Sequence, residues 1–406
     1  MGPGTGNGGI DLVFAVGAVL TLVSLARSWR AVLDADFTPA DRLVVTQVAV
    51  FLLPPVLVLL HEGGHAAAAA GVGAHVAGFH YGLFEGSVLV EGTLSPVQGW
   101  FVALAGNLVS ALVGLGMVGL GAMAHRLRRP LRYLLIVGGL IELVLGLVGY
   151  PVLSESARFG DWLIIYDFSA TPALSWAALA VHVAVLVGLW RWWRGDLRWR
   201  LFAVAQGEEA RVAELRKALD ADPGDVETRL ALANLFAGYG DLGLAASTLD
   251  QGAAASADPG RLHLARARLA LHRGRWNDAL LATRAGLAAD GADADVRQRL
   301  WANQGLALAQ MERPALALSA FEHLDPPTAA DPTVLYCRGL ARLGAGDSDG
   351  GQADLGVVVH SLPDGHPLRG WAEARLDGRA PEPPDDSDRP GWQRRRQAPP
   401  APIAGV

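Results

Sequence analysis

Two histidines and a glutamate stand together at His61-Glu62-Gly63-Gly64-His65. On a helix, positions four apart share a face, with about 5–6 Å between Cβ atoms. Both imidazoles can then hold one Zn²⁺, and Glu62 between them faces water at the metal as a general base rather than as a ligand. Catalytic zinc usually takes three protein ligands and keeps a fourth position open, so two histidines leave the set one short. The trio lies in a stretch rich in Val, Leu and Ala from Val44 to Ala70. Ionisable groups in hydrocarbon are costly unless they are paired or bound to metal. The competing reading is three polar side chains snorkelling at a helix end.

The elements that would carry such a site are membrane spans. The chain has 406 residues, of which 51% are hydrophobic and 18% charged, and a mean hydropathy of +0.27. Of its 74 charged side chains, residues 1–200 hold only 24, so the first half reads as membrane and the second as soluble. Five apolar stretches approach the roughly 20 residues a helix needs to cross a bilayer: Ile10–Ala26, Leu43–Ala70, Trp100–Ala124, Leu131–Val152 and Ala173–Trp190. The first lacks the basic n-region of a signal peptide, and Ser28-Trp29-Arg30 follows it, so it reads as a retained span. Loop arginines are strongly asymmetric: eleven follow the first, third and fifth spans, while only Arg158 lies in the second and fourth loops. By the positive-inside rule the N-terminus is outside and the C-terminal half cytoplasmic. Arg exceeds Lys throughout (Lys217 is the single lysine), and Ala and Gly are abundant, which fits a GC-rich bacterial genome and a bacterial cell membrane. A net charge of −6 points to no nucleic-acid partner, and one cysteine, Cys337, excludes a disulfide scaffold. A partly buried, reduced thiol is expected there.

Several features inside the membrane half set expectations. Pro54-Pro55 should kink or restart the helix just before His61. Residues 78–92 are β-prone and Gly-punctuated, and read as a short hairpin at the membrane surface or as a plain loop. His75 and His80 read as polar surface residues of that segment. Glu142 and His182, near the middles of the fourth and fifth spans, are expected to pair with each other.

Residues 201–378 read as helical and repetitive. Gly240 opens one helix-forming run and Gly274 another, with Ala245 and Ala279 five residues on; Met311-Glu312 opens a related turn before Ala317, and Gly346 one before Gly351. A 34-residue period with small residues where helices meet resembles the tetratricopeptide repeat, in four pairs of which the last is degenerate. A non-repeating bundle is the alternative. Either way, stacked pairs present a concave surface suited to a protein or peptide. Residues 379–406 are rich in Pro and charge and read as a disordered tail.

The HEGGHA sequence at His61–Ala66, inside an apolar span, resembles the HExGHA of the site-2-protease family of intramembrane zinc metalloproteases. A β-like segment follows it, Ala105-Gly106-Asn107 in the next span is similar to the family's Ala-Gly-Pro and Asn signature, and an aspartate stands in Phe159-Gly160-Asp161-Trp162. The likeness covers about residues 40–190. It implies zinc held by His61, His65 and an aspartate, Asp161 first and Asp167 as the alternative; Glu155 is the third candidate carboxylate. The LDG form of the aspartate motif and the family's proline before Asn107 are both absent. Asn107 either donates to a developing oxyanion or makes an interhelical hydrogen bond.

The expected architecture is therefore all-α. A polytopic domain of about five transmembrane helices with a short β-hairpin (1–200) precedes a tetratricopeptide-like domain (201–378) and a tail (379–406). The expected function is a zinc-dependent endopeptidase acting on a membrane-embedded protein, with the repeats recruiting substrate or regulator. The alternative is a membrane-anchored repeat scaffold with a structural or relict zinc site.

Overall fold

The computed structural model describes residues 8–34, 36–82, 85–157, 160–290 and 292–379. It is mostly helical, with one two-stranded sheet, and divides into two compact units between Glu209 and Ala210. The proposed tail lies outside the described residues, apart from Arg379.

Among the described residues of the first unit, five helical runs are long and apolar enough to cross a membrane: Leu12–Val32, Pro39–Gly71, Pro96–Met123, Arg129–Ser156 and Pro172–Gln206. The first run belongs to helix α1 (Gly8–Val32). The second is composite. Helix α2 (Pro39–Gln47) starts on a capping box between Thr38 and Asp41 and passes through a π-helical turn, Val48–Leu52, into α3 (Pro54–Gly71). Leu53 N–H reaches back to the Val48 carbonyl at 3.0 Å, so the wider turn ends just before the two prolines. Pro54 and Pro55 then occupy the first turn of α3, where their missing N–H groups cost nothing. The helix restarts rather than breaks, and His61 to His65 fall in its middle.

Strands β1 (His75–Tyr81) and β2 (Gly86–Glu91) form an antiparallel hairpin, with His75 opposite Glu91 and Tyr81 opposite Gly86. The segment is thus a hairpin and not a plain loop. The strands fold back alongside α3: Tyr81 Oη donates to the Pro55 carbonyl at 2.8 Å, and Gly86 lies against the side chain of Glu62. The hairpin therefore reaches the level of the HEGGH turn. His75 and His80 are exposed on it.

Helix α4 (Pro96–Met123) begins on a capping box between Ser95 and Gln98 and packs closely on α5 (Arg129–Val144) through small residues. A Cβ on Gly114 would stand 3.2 Å from the Gly139 carbonyl, an approach that only small residues permit. Buried Arg132 donates to the Gly121 carbonyl at 3.0 Å and pairs with Glu209, closing the end of α4. A second π-helical turn, Leu145–Gly149, leads into α6 (Tyr150–Ala157), whose second residue is Pro151. A short helix, α7 (Asp161–Ile165), and α8 (Pro172–Trp192) follow, and a third π-helical turn joins α8 to α9 (Arg198–Gln206).

The expected Glu142–His182 pair does not form. His182 Nε2 donates to the Leu147 carbonyl at 2.7 Å, its Nδ1 meets the Tyr166 hydroxyl, and its ring stacks on Trp162. Glu142, on α5, lies instead near enough to His61 to feel its charge. Similar depth in two spans does not put two residues on facing sides of their helices.

Helix α10 (Glu209–Ala221) leads into the second unit, whose described residues continue in four helical pairs: α11 (Val226–Gly238) with α12 (Leu242–Ala255), and α13 (Gly260–His272) with α14 (Trp276–Ala288). Then come α15 (Ala294–Gln310) with α16 (Pro314–Phe321), the single turn α17 (Pro326–Ala329), α18 (Pro332–Gly344) with α19 (Ser348–Ser361), and a final α20 (Pro367–Leu376). Each pair is joined by the same turn. Gly240, Gly274, Glu312 and Gly346 all take positive φ. The next residue's N–H reaches back five positions in every case: Asp241 to Phe236, Arg275 to Ala270, Arg313 to Leu308 and Asp347 to Arg342, at 2.9–3.0 Å. This is the Schellman closure of a helix end. Ala245, Ala279, Ala317 and Gly351 are buried where the paired helices meet. The step from Gly274 to Glu312 exceeds 34 residues because α15 has 17 residues where α13 has 13. Cys337 is wholly rather than partly buried, and burial pushes its thiol up to about 12.

Candidate metal centre

His61 and His65 project from one face of α3 toward α4 and α7. His61 Nε2 and His65 Nε2 stand 3.0 Å apart, and Asp161 Oδ2, from the first residue of α7, lies 3.2 and 3.1 Å from them. Among the described residues these three form the single His/Cys/Asp/Glu group whose ligand atoms converge, all within 4.8 Å. With bonds of about 2.0–2.1 Å, two ligand atoms of a tetrahedral zinc site stand about 3.3 Å apart. The observed triangle is close to that spacing, and two nitrogens with one carboxylate oxygen suit Zn²⁺ by chemistry.

Outer contacts orient the ligands. His65 Nδ1 is 2.7 Å from the Val102 carbonyl. A carbonyl only accepts, so Nδ1 carries the proton and a neutral His65 turns a lone pair at Nε2 into the site. His61 Nδ1 meets Ser110 Oγ at 3.1 Å. Asn107 uses both amide hydrogens: one goes to the Ala103 carbonyl at 3.0 Å and the other to Asp161 Oδ2 at 3.2 Å. The bond between α4 and α7, rather than a free donor, is the arrangement present here. Tyr150 brackets the same aspartate, accepting from the Asp161 N–H at 3.3 Å and donating to Oδ2 at 3.4 Å. Burial alone would raise the Asp161 carboxyl; the His61 and His65 hydrogen bonds outweigh it and hold the group well below the usual carboxylate range.

Two close approaches make the site possible. A Cβ on Gly106 would fall 2.4 Å from His65 Nε2, and one on Gly64 would fall 2.9 Å from the Ala105 carbonyl. Glycine at both positions lets α3 and α4 meet with the imidazole between them. Glu62 is buried, stands outside the ligand triangle, and lies near enough to His61, His65 and Asp161 to feel their charge.

The other carboxylates considered lie elsewhere. Asp167 is partly buried and closes its own turn, accepting from the Ser169 hydroxyl at 2.5 Å and from the Ala170 N–H at 3.0 Å. Glu155 is exposed on α6. Tyr150 and Ser110 were not singled out from sequence. Ser110 had a signal, since it follows Asn107 by three positions and so shares its helix face. Tyr150 had none, because an aromatic residue near a span end is ordinary.

No family model matches the chain, and no curated protein matches it. Among solved structures, two chains described as MamA each resemble it at 20% identity and a TM-score of 0.31, covering 39% of this chain and 91% and 85% of theirs. A third, "YrrB: a TPR protein with an unusual peptide-binding site", is 18% identical with a TM-score of 0.32, covering 41% of this chain and 84% of its own.

Proposed function

We propose that the first unit is an intramembrane zinc endopeptidase. The observation that carries this reading is the convergence of His61 Nε2, His65 Nε2 and Asp161 Oδ2 at 3.0–3.2 Å, between helices apolar enough to span a bilayer, with Glu62 buried beside them. His61, His65 and Asp161 hold the ion. Bound Zn²⁺ supplies Lewis acidity toward a peptide carbonyl and toward water. Glu62 takes the proton of the attacking water and returns it to the leaving amine nitrogen. Asn107 and Tyr150 keep the Asp161 carboxylate aimed at the imidazoles. The β1–β2 hairpin runs beside Glu62 and exposes Phe79 and Leu89, so an extended substrate segment pairs with its edge and sets a peptide bond before the glutamate. The substrate is a membrane protein whose spanning helix has locally unwound, since a helix offers no free backbone to a strand edge.

The second unit binds a protein or peptide on its stacked helical pairs and recruits substrate or regulator. Loop arginines support a cell-membrane location with this unit in the cytoplasm. The test is comparative membrane proteomics of the wild type against Glu62→Gln, with metal analysis of both. A membrane-protein fragment released only by the wild type is expected, with zinc retained by both. A Glu62→Gln protein that is fully active, or one without metal, overturns the assignment of roles.

A further inference from the structure

His182, on α8, has no part in the chemistry above, yet its contacts lead to the element that carries Asp161. The first begins with a proline. Pro151, the second residue of α6, has no N–H, and the carbonyl it would have served in a regular helix is that of Leu147, four positions back. That carbonyl lies in the π-helical turn Leu145–Gly149, within a run apolar enough to span a bilayer, where an unpaired backbone group is costly. His182 Nε2 fills the gap, donating to the Leu147 carbonyl at 2.7 Å. Its Nδ1 is then the acceptor for the Tyr166 hydroxyl. Its ring stacks on Trp162, with centroids 4.7 Å apart. Trp162 follows Asp161 directly, and Tyr166 caps the end of α7. Tyr150, the residue after the π-helical turn, makes both hydrogen bonds to Asp161 described above. Helix α7 has only five residues. Isolated helices below about 12–15 residues are marginal, so contacts such as these fix where Asp161 stands.

We propose that His182 is a positioning residue for the third metal ligand. It ties the turn that leads into Tyr150 to the helix that carries Asp161, so the carboxylate is held from both sides, 3.2 and 3.1 Å from His61 Nε2 and His65 Nε2. His182 touches neither the metal position nor substrate. It acts on Asp161 through Leu147 and Tyr150 on one side, and through Trp162 and Tyr166 on the other. This role rests on the zinc reading of the site, and its failure is distinguishable from a failure of that reading.

The test is zinc affinity of the purified full chain by chelator competition, with the Co²⁺ absorption spectrum reporting the ligand set. His182→Phe keeps a ring against Trp162 but loses both hydrogen bonds. It should weaken zinc binding by roughly 10–100-fold, as loss of an outer partner of a metal site commonly does. Its Co²⁺ spectrum should shift toward that of Asp161→Ala, which lacks the third ligand. Pro151→Ala returns an N–H to the Leu147 carbonyl. In that background His182→Phe should cost at least about threefold less, since residues that share one partner are non-additive. Native zinc affinity in His182→Phe, a Co²⁺ spectrum that does not move toward that of Asp161→Ala, or an equal cost in both backgrounds overturns the role. Should His182→Phe fail to insert, Tyr166→Phe removes one bond from the other side of the ring and must weaken zinc binding with the same spectral shift; native affinity there overturns the role as well. A wrong zinc reading would show instead as no zinc in the native chain, or none lost in His65→Ala.

Discussion

Gly86 lies so close to Glu62 that a Cβ on the glycine would stand 2.4 Å from the glutamate Cγ and 2.9 Å from its carboxylate oxygen. Real side chains do not approach that closely, so a larger residue at 86 moves either the hairpin or the base. Glu62 is not among the ligand atoms, so either movement leaves the metal in place. Gly86→Ala should lower turnover by about 10²-fold, the cost of a roughly 1 Å misplacement, with zinc content unchanged. Gly78→Ala in the partner strand is the control, because its Cβ meets only Leu89, at 3.7 Å or beyond. Equal activity of the two variants would separate the hairpin from the chemistry.

Gly106 has the complementary relation to a ligand. Its added Cβ would sit 2.4 Å from His65 Nε2, on the atom that faces the metal. Gly106→Ala should therefore lose zinc, in contrast to Gly86→Ala. Metal analysis of the purified protein checks this, and full zinc occupancy in Gly106→Ala would show that the imidazole has another position from which to bind.

Asp161 and Asp167 separate by the same measurement. Asp161→Ala removes the oxygen shared by both histidines and should lower zinc content severely. Asp167→Ala removes a turn contact on the surface and should leave zinc within about twofold, with at most about 1 kcal/mol of stability lost, as for a cap. The reverse order would move the third ligand to Asp167.

How much of this site could be read in the sequence depended on distance along the chain. His61 and His65 share a face because the helical period puts them there, and Pro54-Pro55 announced where that helix would start. Asp161 stands 100 positions from His61, and no period links them; only resemblance to a family turn preferred it to Asp167. Hydropathy marked the five long apolar helical runs because apolar length is written in composition. It carries depth but not rotation, which is why Glu142 and His182, expected to pair, face different neighbours in the fold. The hairpin was legible as a hairpin from its glycines and β-branched residues, but not its return along α3, which depends on Tyr81 reaching Pro55 and on Gly86 having no side chain. In the repeats, small residues at a fixed period marked the helix contacts. The longer α15 shifts the Glu312 turn out of the 34-residue step, yet Met311-Glu312 before Ala317 still marked it.

The Glu312 turn gives a stability prediction. Glu312 takes φ 55° where Gly240, Gly274 and Gly346 take 83°, 65° and 89°. Its N–H and that of Arg313 make the same backward bonds as in the three glycine turns, so the left-handed conformation is imposed by the helix closure and not by the residue. A side chain in that region costs roughly 1–2 kcal/mol relative to glycine. Part of the relief from removing it is offset by the extra freedom that glycine gives the unfolded chain, about 0.4–1 kcal/mol. Glu312→Gly should therefore stabilise the repeat unit by about 0.5–1 kcal/mol, and Gly274→Ala should destabilise it by about 1 kcal/mol. Denaturant unfolding of the full chain, read on the transition of the repeat helices, measures both. If Glu312→Gly proves destabilising, the glutamate side chain makes a contact worth more than the backbone cost, and the turn is held by that residue rather than by the Schellman bonds.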